Sequence, residues 1–305
     1  MMKLEGIRAF VAVTEAGSIS EAARQLRLSK SVVSERLAEL EKALGAKLLH
    51  RTTRRLMLTE DGNAFLERAV RIAREVESAT ADMAERRGTL AGPLRISAPV
   101  TFGRLHLGPA IYPFLAAHPQ IELTLDLDDR RVDASSGGFD AVVRHGPILD
   151  SRLMAWKLAP SRRVLVASPG YLEQHGVPKS IGDLADHRGI FYTNRGVADW
   201  RMAGLAGGDD AIVVHGRLAL GINNGDMMRE AAIAGLGIAL LPMFIAGPAL
   251  KAGTLAAIDI GMQPEEEFIF IAHPDGRHPS AKLRALADHL RKAFGSPPYW
   301  DCEPR

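Results

Sequence analysis

Residues 18–45 read SISEAARQLRLSKSVVSERLAELEKALG. Ser18-Ile19-Ser20-Glu21 is a capping box, so a helix starts there. It runs to Leu26, Arg27-Leu28 makes a short turn, and Ser29 can cap a further helix. In that helix Val33, Leu37, Leu40 and Leu44 recur at helical spacing as an apolar stripe, which Gly45 ends. The opposite face carries Ser31, Ser34, Glu35, Ala38 and Lys42. Two short helices joined by a tight turn, the second with small polar groups outward, follow the helix-turn-helix plan. In that plan the second helix enters the major groove by its N-terminal turns. Ser29, Lys30, Ser31, Ser34, Glu35 and Arg36 lie at the end expected to meet DNA.

On the N-terminal side, Leu4–Ala16 reads as a helix with Leu4, Ile7 and Val11 on one face and Gly17 as its stop. On the C-terminal side, apolar pairs in 47–58 flank a basic, hydroxyl-rich tip with Arg51, Thr52, Arg54 and Arg55. This is the pattern of a β-hairpin wing on the sugar-phosphate backbone. A plain helical bundle with a basic loop is the alternative. Thr59-Glu60-Asp61 then starts a long charged helix. Phe65, Ala69, Ile72, Val76, Ala79 and Met83 repeat along it at alternating spacings of 4 and 3. Such a seam suits pairing with a second copy, with packing on its own domain as the alternative. Arg86-Arg87-Gly88 ends the helix, and Leu90-Ala91-Gly92-Pro93 is a hinge.

Charge supports this division. Residues 1–58 carry eleven Lys/Arg against six acids, a balance of +5, whereas 59–305 carry 27 against 30. A basic head on a slightly acidic body is expected where one end meets phosphate. The 305 residues are 47% hydrophobic and 24% charged, enough for two or three packed domains and unlike a disordered chain. The single cysteine, Cys302, excludes a disulfide framework and a multi-cysteine metal site. Residues 1–8 lack the apolar stretch of a signal peptide, and no run of 18 apolar residues occurs. The expectation is a cytoplasmic protein without a membrane partner.

From Gly92 onward, strands alternate with helices. Strands are expected at 94–97, 121–127, 139–144, 163–167, 238–241 and 268–271, with helices up to 117, over 226–234 and over 280–293. The alternation argues for parallel sheets in an α/β fold. In such sheets ligands bind at the C-terminal ends of strands, against helix starts. That rule nominates Pro99, Thr101 and Phe102 after the first strand, Arg144 and His145 after the third, and Asn223 and Asn224 before the 226 helix. These groups suit a small organic anion with an apolar body. A salt bridge for Arg144, and plain caps for Thr101 and for Asn223-Asn224, are the alternatives. Gly235-Leu236-Gly237 follows a helix and reads as its cap, not as a dinucleotide fingerprint. Ser168-Pro169-Gly170-Tyr171 lacks the Gly-x-Ser-x-Gly of a nucleophile elbow. His106, His118 and His289 have no metal-ligand spacing and read as surface or packing residues. No catalytic constellation, metal site or cofactor is expected. A solute-binding protein would leave the basic head unexplained, and an enzyme would lack its catalytic residues.

The chain resembles the LysR-type transcriptional regulators. The resemblance rests on Phe10-Val11-Ala12-Val13, Ala16-Gly17-Ser18, Ala22-Ala23, Leu26, Ser29, Ser31, Val33-Ser34, Leu40-Glu41 and Leu44-Gly45. It continues through Leu48-Leu49, Arg51-Thr52-Thr53-Arg54, Leu58-Thr59 and Gly62. It implies a winged helix-turn-helix over 1–58, a dimerising linker helix and hinge over 59–91, and an effector-binding domain over 92–305. That domain is expected to be a two-subdomain α/β fold like a periplasmic binding protein. Subdomain I would span about 92–162 and 268–305, and subdomain II about 163–267. The resemblance further implies double-stranded DNA, a small-molecule inducer, RNA polymerase and a second copy as partners, with dimers assembling into tetramers. Lys30 stands where many relatives have Pro or Gln, and Glu35 where a basic or amide side chain is usual. Glu35 can accept from cytosine N4 or repel phosphate, so the operator stays open.

Overall fold

The computed structural model describes residues 2–51, 56–85, 89–130, 138–146, 153–195, 199–203, 212–274 and 279–301. They divide into two compact units, Met1–Gly92 and Pro93–Arg305.

The first unit holds α1 (Leu4–Ala16), α2 (Ile19–Gln25), α3 (Lys30–Leu44), β1 (Leu49–Arg51), β2 (Leu56–Leu58) and α4 (Glu60–Glu85). Ser18 Oγ accepts from the amides of Ser20 and Glu21, and Ser29 Oγ from that of Val32, so both caps form. Arg27 turns the chain between α2 and α3 with a left-handed φ of 54°. Ile7, Phe10, Val13, Val33, Leu37, Leu40, Leu48 and Leu49 are buried together. Leu44, expected in this stripe, is exposed, because the last turn of α3 runs past the core. β1 and β2 pair antiparallel, Leu49 opposite Leu58, as a wing requires.

Phe65 and Ala69 correct the expected seam. The Phe65 ring packs tilted against that of Phe10, 5.8 Å away, and Ala69 is buried in the same core. The first turns of α4 therefore complete their own domain. Ile72, Val76 and Ala79 are exposed, while the Met83 side chain lies outside the described residues.

Two contacts fasten the wing. Glu41, on α3, is buried, and its carboxylate accepts from Leu48 N at 2.9 Å, Leu49 N at 3.3 Å and Lys47 Nζ at 2.8 Å. Burial pushes this carboxyl up, but Lys47 and the two amides outweigh burial and hold it below the ordinary glutamate value. On the other side Gly62 of α4 lies against Leu48. A Cβ there would overlap the Leu48 carbonyl.

The second unit has two five-stranded sheets. Its first half holds β3 (Gly92–Ala98), α5 (Val100–Phe102), a π-helical turn (Gly103–Leu107), α6 (Gly108–Ala117), β4 (Ile121–Leu127), β5 (Ala141–His145) and β6 (Leu153–Pro160). The second half holds β7 (Arg163–Ala167), α7 (Pro169–His175), α8 (Ile181–Asp186), β8 (Arg188–Tyr192), β9 (Asp199–Met202), β10 (Ile212–His215), β11 (Arg217–Ile222), α9 (Gly225–Ile233), β12 (Ile238–Pro242), α10 (Met243–Lys251) and β13 (Ala256–Ile258). The chain then returns through β14 (Phe268–Pro274) and α11 (Ala281–Phe294). The sheet orders are β4-β3-β5-β14-β6 and β11-β8-β12-β7-β13. The expectation of parallel sheets is corrected, since both sheets are mixed. β3 and β5 are parallel, as are β8 and its neighbours, but β14 and β7 run antiparallel to theirs. Strand β6 passes into β7 through Ser161-Arg162 with no crossover helix, so β7 enters the second sheet reversed.

Two measurements test the wing anchors. Gly62→Ala should lower stability by about 1–3 kcal/mol in urea unfolding, because the backbone must shift to admit a methyl group. Glu41→Gln should cost about 2 kcal/mol at neutral pH, having lost one charge-assisted acceptor. The wild-type carboxyl is depressed on folding, so its stabilisation is present above the unfolded glutamate pKa and is lost as pH falls through the folded value. Unfolding curves of wild type and Glu41→Gln should accordingly converge in acid; a constant gap down to pH ~2 would refute the assignment.

Candidate functional site

In the first unit the N-terminal turns of α3 present small hydroxyls and charges. Ser29, Lys30, Ser31 and Glu35 are exposed, and Ser34 and Arg36 half-buried. Ser31 Oγ lies 2.8 Å from Ser29 Oγ, which couples the cap to the exposed face. Lys30 and Glu35 form no ion pair with the described residues. Arg51 ends β1, but its side chain lies outside the described residues, as do Thr52, Arg54 and Arg55. Glu41 was missed in the sequence because a charged residue inside a helix resembles a solvated one.

In the second unit a cleft of about 150 Å³ opens between the two sheets. Its body is apolar: Phe102, Phe191, Trp200, Leu240, Phe244 and Ile245 line it. Pro99, Thr101, Arg144 and His145 also line it, so the start of α5 and the end of β5 bring these expected residues together. Phe102 is buried, its ring 5.2 Å from that of Phe244 and 5.6 Å from that of His106. His106 is a packing residue. Its Nε2 lies 3.0 Å from the Phe244 carbonyl, so it donates there, and its Nδ1 accepts from the Tyr299 hydroxyl at 2.7 Å. Burial pushes this imidazole below the ordinary histidine value.

Arg144 leaves β5 toward the cleft. Its guanidinium donates to Ser97 Oγ at 2.9 Å and to the Val143 carbonyl at 2.8 Å. It makes no ion pair among the described residues, so the salt-bridge alternative fails there. Burial pulls its pKa below the ordinary arginine value, against the opposing fields of Asp128 and Asp129. His145 is committed elsewhere. Its Nε2 lies 2.7 Å from Glu267 Oε2, and Arg163 binds the other oxygen of the same buried carboxylate. It forms the floor of the cleft and is not free to meet a ligand with that nitrogen.

The other nominations are revised. Thr101 is buried and donates to Asp226 Oδ2 at 3.1 Å. The amide of Val100 is engaged by Asp129 Oδ1 at 3.0 Å, so the start of α5 is not the open set of N–H groups expected. Asn224 caps α9 through Met227 N and donates to Asp129 Oδ2 at 3.2 Å. Neither asparagine lines the cleft: Asn223 is exposed, and the Asn224 side chain is taken up by the cap and by Asp129. Asp129, Asn194 and the second-half aromatic wall were missed. Asp129 and Asn194 follow strands without a motif, and β8 and β9 were not expected. Among the described residues no group of three or more His, Cys, Asp and Glu could hold a metal. No helix among them is long and apolar enough to cross a membrane.

Comparison with known proteins assigns both units. The family model of the bacterial regulatory helix-turn-helix protein, lysR family, matches residues 4–63, and that of the LysR substrate binding domain matches 87–295. An HTH-type transcriptional regulator of Haemophilus influenzae is 32% identical over 94% of this chain and 99% of its own. DmlR of Escherichia coli is 33% identical over 95% and 94%. CrgA, a LysR-type transcriptional regulator from Neisseria meningitidis, superposes with a TM-score of 0.58 at 28% identity, covering 95% of this chain and 99% of that one. The chain belongs to the LysR family of DNA-binding transcriptional regulators, whose promoter output is modulated by a small-molecule effector.

Proposed function

We propose that the cleft takes a small organic anion with an apolar body and that Arg144 reads its charge. The carrying observation is a partly desolvated guanidinium, oriented by Ser97 and without an ion pair among the described residues, beside the apolar body of a cleft that Asp128, Asp129, Arg163 and Arg201 also line. Desolvating a cation costs free energy until an anion meets it, so a carboxylate gains more here than in water. The cleft binds without turnover: the Asp128 and Asp129 carboxylates that line it are engaged by neighbouring donors, which argues against acid–base work. In the head, Ser29, Lys30, Ser31, Ser34, Glu35 and Arg36 meet the major groove, and Arg51, Thr52, Arg54 and Arg55 the backbone. The exposed residues of α4 from Ile72 onward pair two copies, and two dimers form a tetramer that contacts RNA polymerase in the cytoplasm.

The DNA assignment is tested by fluorescence anisotropy on the region flanking the protein's own gene, with a scrambled duplex as control. Arg54→Ala should weaken binding on both duplexes and lower the salt slope by about 1. Ser34→Ala should discriminate between sequences; equal losses from both variants on every duplex would sink this division of labour. The ligand class is tested by thermal shift with benzoate, phenylacetate, butyrate and hexanoate. At least one should raise Tm in wild type, and Arg144→Gln should abolish the rise. Equal shifts in both proteins would remove Arg144 from the site.

A further inference from the structure

We propose that Asp129 and Asp226 form a two-point latch across the effector cleft, made of protein groups alone, and that this latch sets the basal state of the regulator. The inference rests on the cleft being the effector site. Four hydrogen bonds carry it, all between the two halves of the second unit. The Asp129 backbone carbonyl accepts from Asn194 Nδ2 at 2.6 Å. Its side chain accepts from Asn224 Nδ2 at 3.2 Å while its other oxygen holds Val100 N in its own half. From the opposite side, Asp226 at the start of α9 accepts from Thr101 Oγ1 at 3.1 Å and from Arg104 Nη2 at 2.9 Å. Arg229, one turn along the same helix, shares the first carboxylate oxygen at 3.3 Å. Each half thus sends one aspartate to donors of the other. Asp128 makes the contrast: its carboxylate pairs with Arg130, two residues away in the same half.

The two halves are in contact where α9 begins: a Cβ on Gly225 would stand 3.5 Å from Thr101 Oγ1 across the cleft, an ordinary van der Waals distance. Thr101, Asp129, Asn194 and Gly225 also line the cleft. A molecule lying against Phe102 therefore touches the residue beside the latch. A ligand that exchanges bonds with Thr101 or Asn194 changes the free energy of the latched arrangement. That is the differential affinity an effector needs.

The test uses the full-length chain with no small molecule added. Hydrogen–deuterium exchange is compared between wild type, Asp129→Ala, Asp226→Ala and the double variant. Amides over 100–107 and 225–233 should exchange at least about fivefold faster in the double variant, with α3 amides unchanged. Exchange within about twofold of wild type in a folded double variant would overturn the latch. If the double variant does not fold, Asp129→Asn and Asp226→Asn serve instead, judged by the same segments and limits. The regulatory half of the proposal is read on the flanking DNA. Affinity should change by about fivefold, or the footprint should shift, without any effector. Faster exchange with unaltered DNA binding would overturn it. A wild-type protein that does not bind this DNA would count against the functional reading above, and the exchange result would still decide the latch.

Discussion

The effector domain depends on where the chain passes between its two sheets. It crosses once at Ser161-Arg162 and returns before β14. Glu267, beside the return, is buried and binds both Arg163, at the first crossing, and His145, at the end of β5. One carboxylate therefore ties both crossings to the central strand of the first sheet. Such a buried cluster adds little net stability, because desolvation offsets most of the attraction. Removing one member is costly, since it strands a charge in the interior. What the cluster supplies is a link between elements: the Glu267 carboxylate holds Arg163 and His145 within reach of one group. The aromatic wall and Arg144 stand on the floor that this cluster forms.

The head solves a related problem with the same chemistry. A wing of two three-residue strands cannot hold itself. Glu41 supplies what the hairpin lacks by taking the first two amides of the wing onto α3, and Gly62 lets α4 close on Leu48 from the other side. These contacts fix how the base of the wing sits against α3. In both units a buried carboxylate joins elements that apolar packing alone would leave free to slide.

Local features were legible and distant ones were not. The caps at Ser18 and Ser29, the stripe through Val33, Leu37 and Leu40, and the antiparallel wing follow from neighbours within a few residues. The spacing of Phe65 and Ala69 is the same whether they meet a second copy or their own core. Only Phe10 across the fold decides it. The rule that ligands meet strand ends brought Thr101, Phe102 and Arg144 to one cleft. It failed for Asn223 and Asn224, neither of which lines the cleft, because the cap geometry of α9 commits the Asn224 side chain to Met227 N and Asp129. Asp129 was invisible, because its partners Asn194 and Asn224 lie 65 and 95 residues away and no periodicity links them.

The strength of the cross-cleft bonds bounds how regulation can work. A typical protein hydrogen bond contributes about 0.5–1.5 kcal/mol net. The Arg104–Asp226 pair sits near the low end, because Arg104 is more than half exposed and water screens it. Four such bonds together are worth a few kcal/mol, the range of a regulatory coupling and well below the stability of a domain. A much stronger set would hold one arrangement against any effector of ordinary affinity. A much weaker one would leave the halves populating both arrangements, with little for a ligand to shift. Reversing an equilibrium from 1:99 to 99:1 requires about 5.5 kcal/mol of differential affinity. On the reading proposed above, an anion paired with Arg144 would supply part of that, and exchange of bonds at Thr101 or Asn194 would supply more. A ligand that only fills the apolar body, touching neither Arg144 nor the latch, binds both arrangements alike and leaves the regulator where it was.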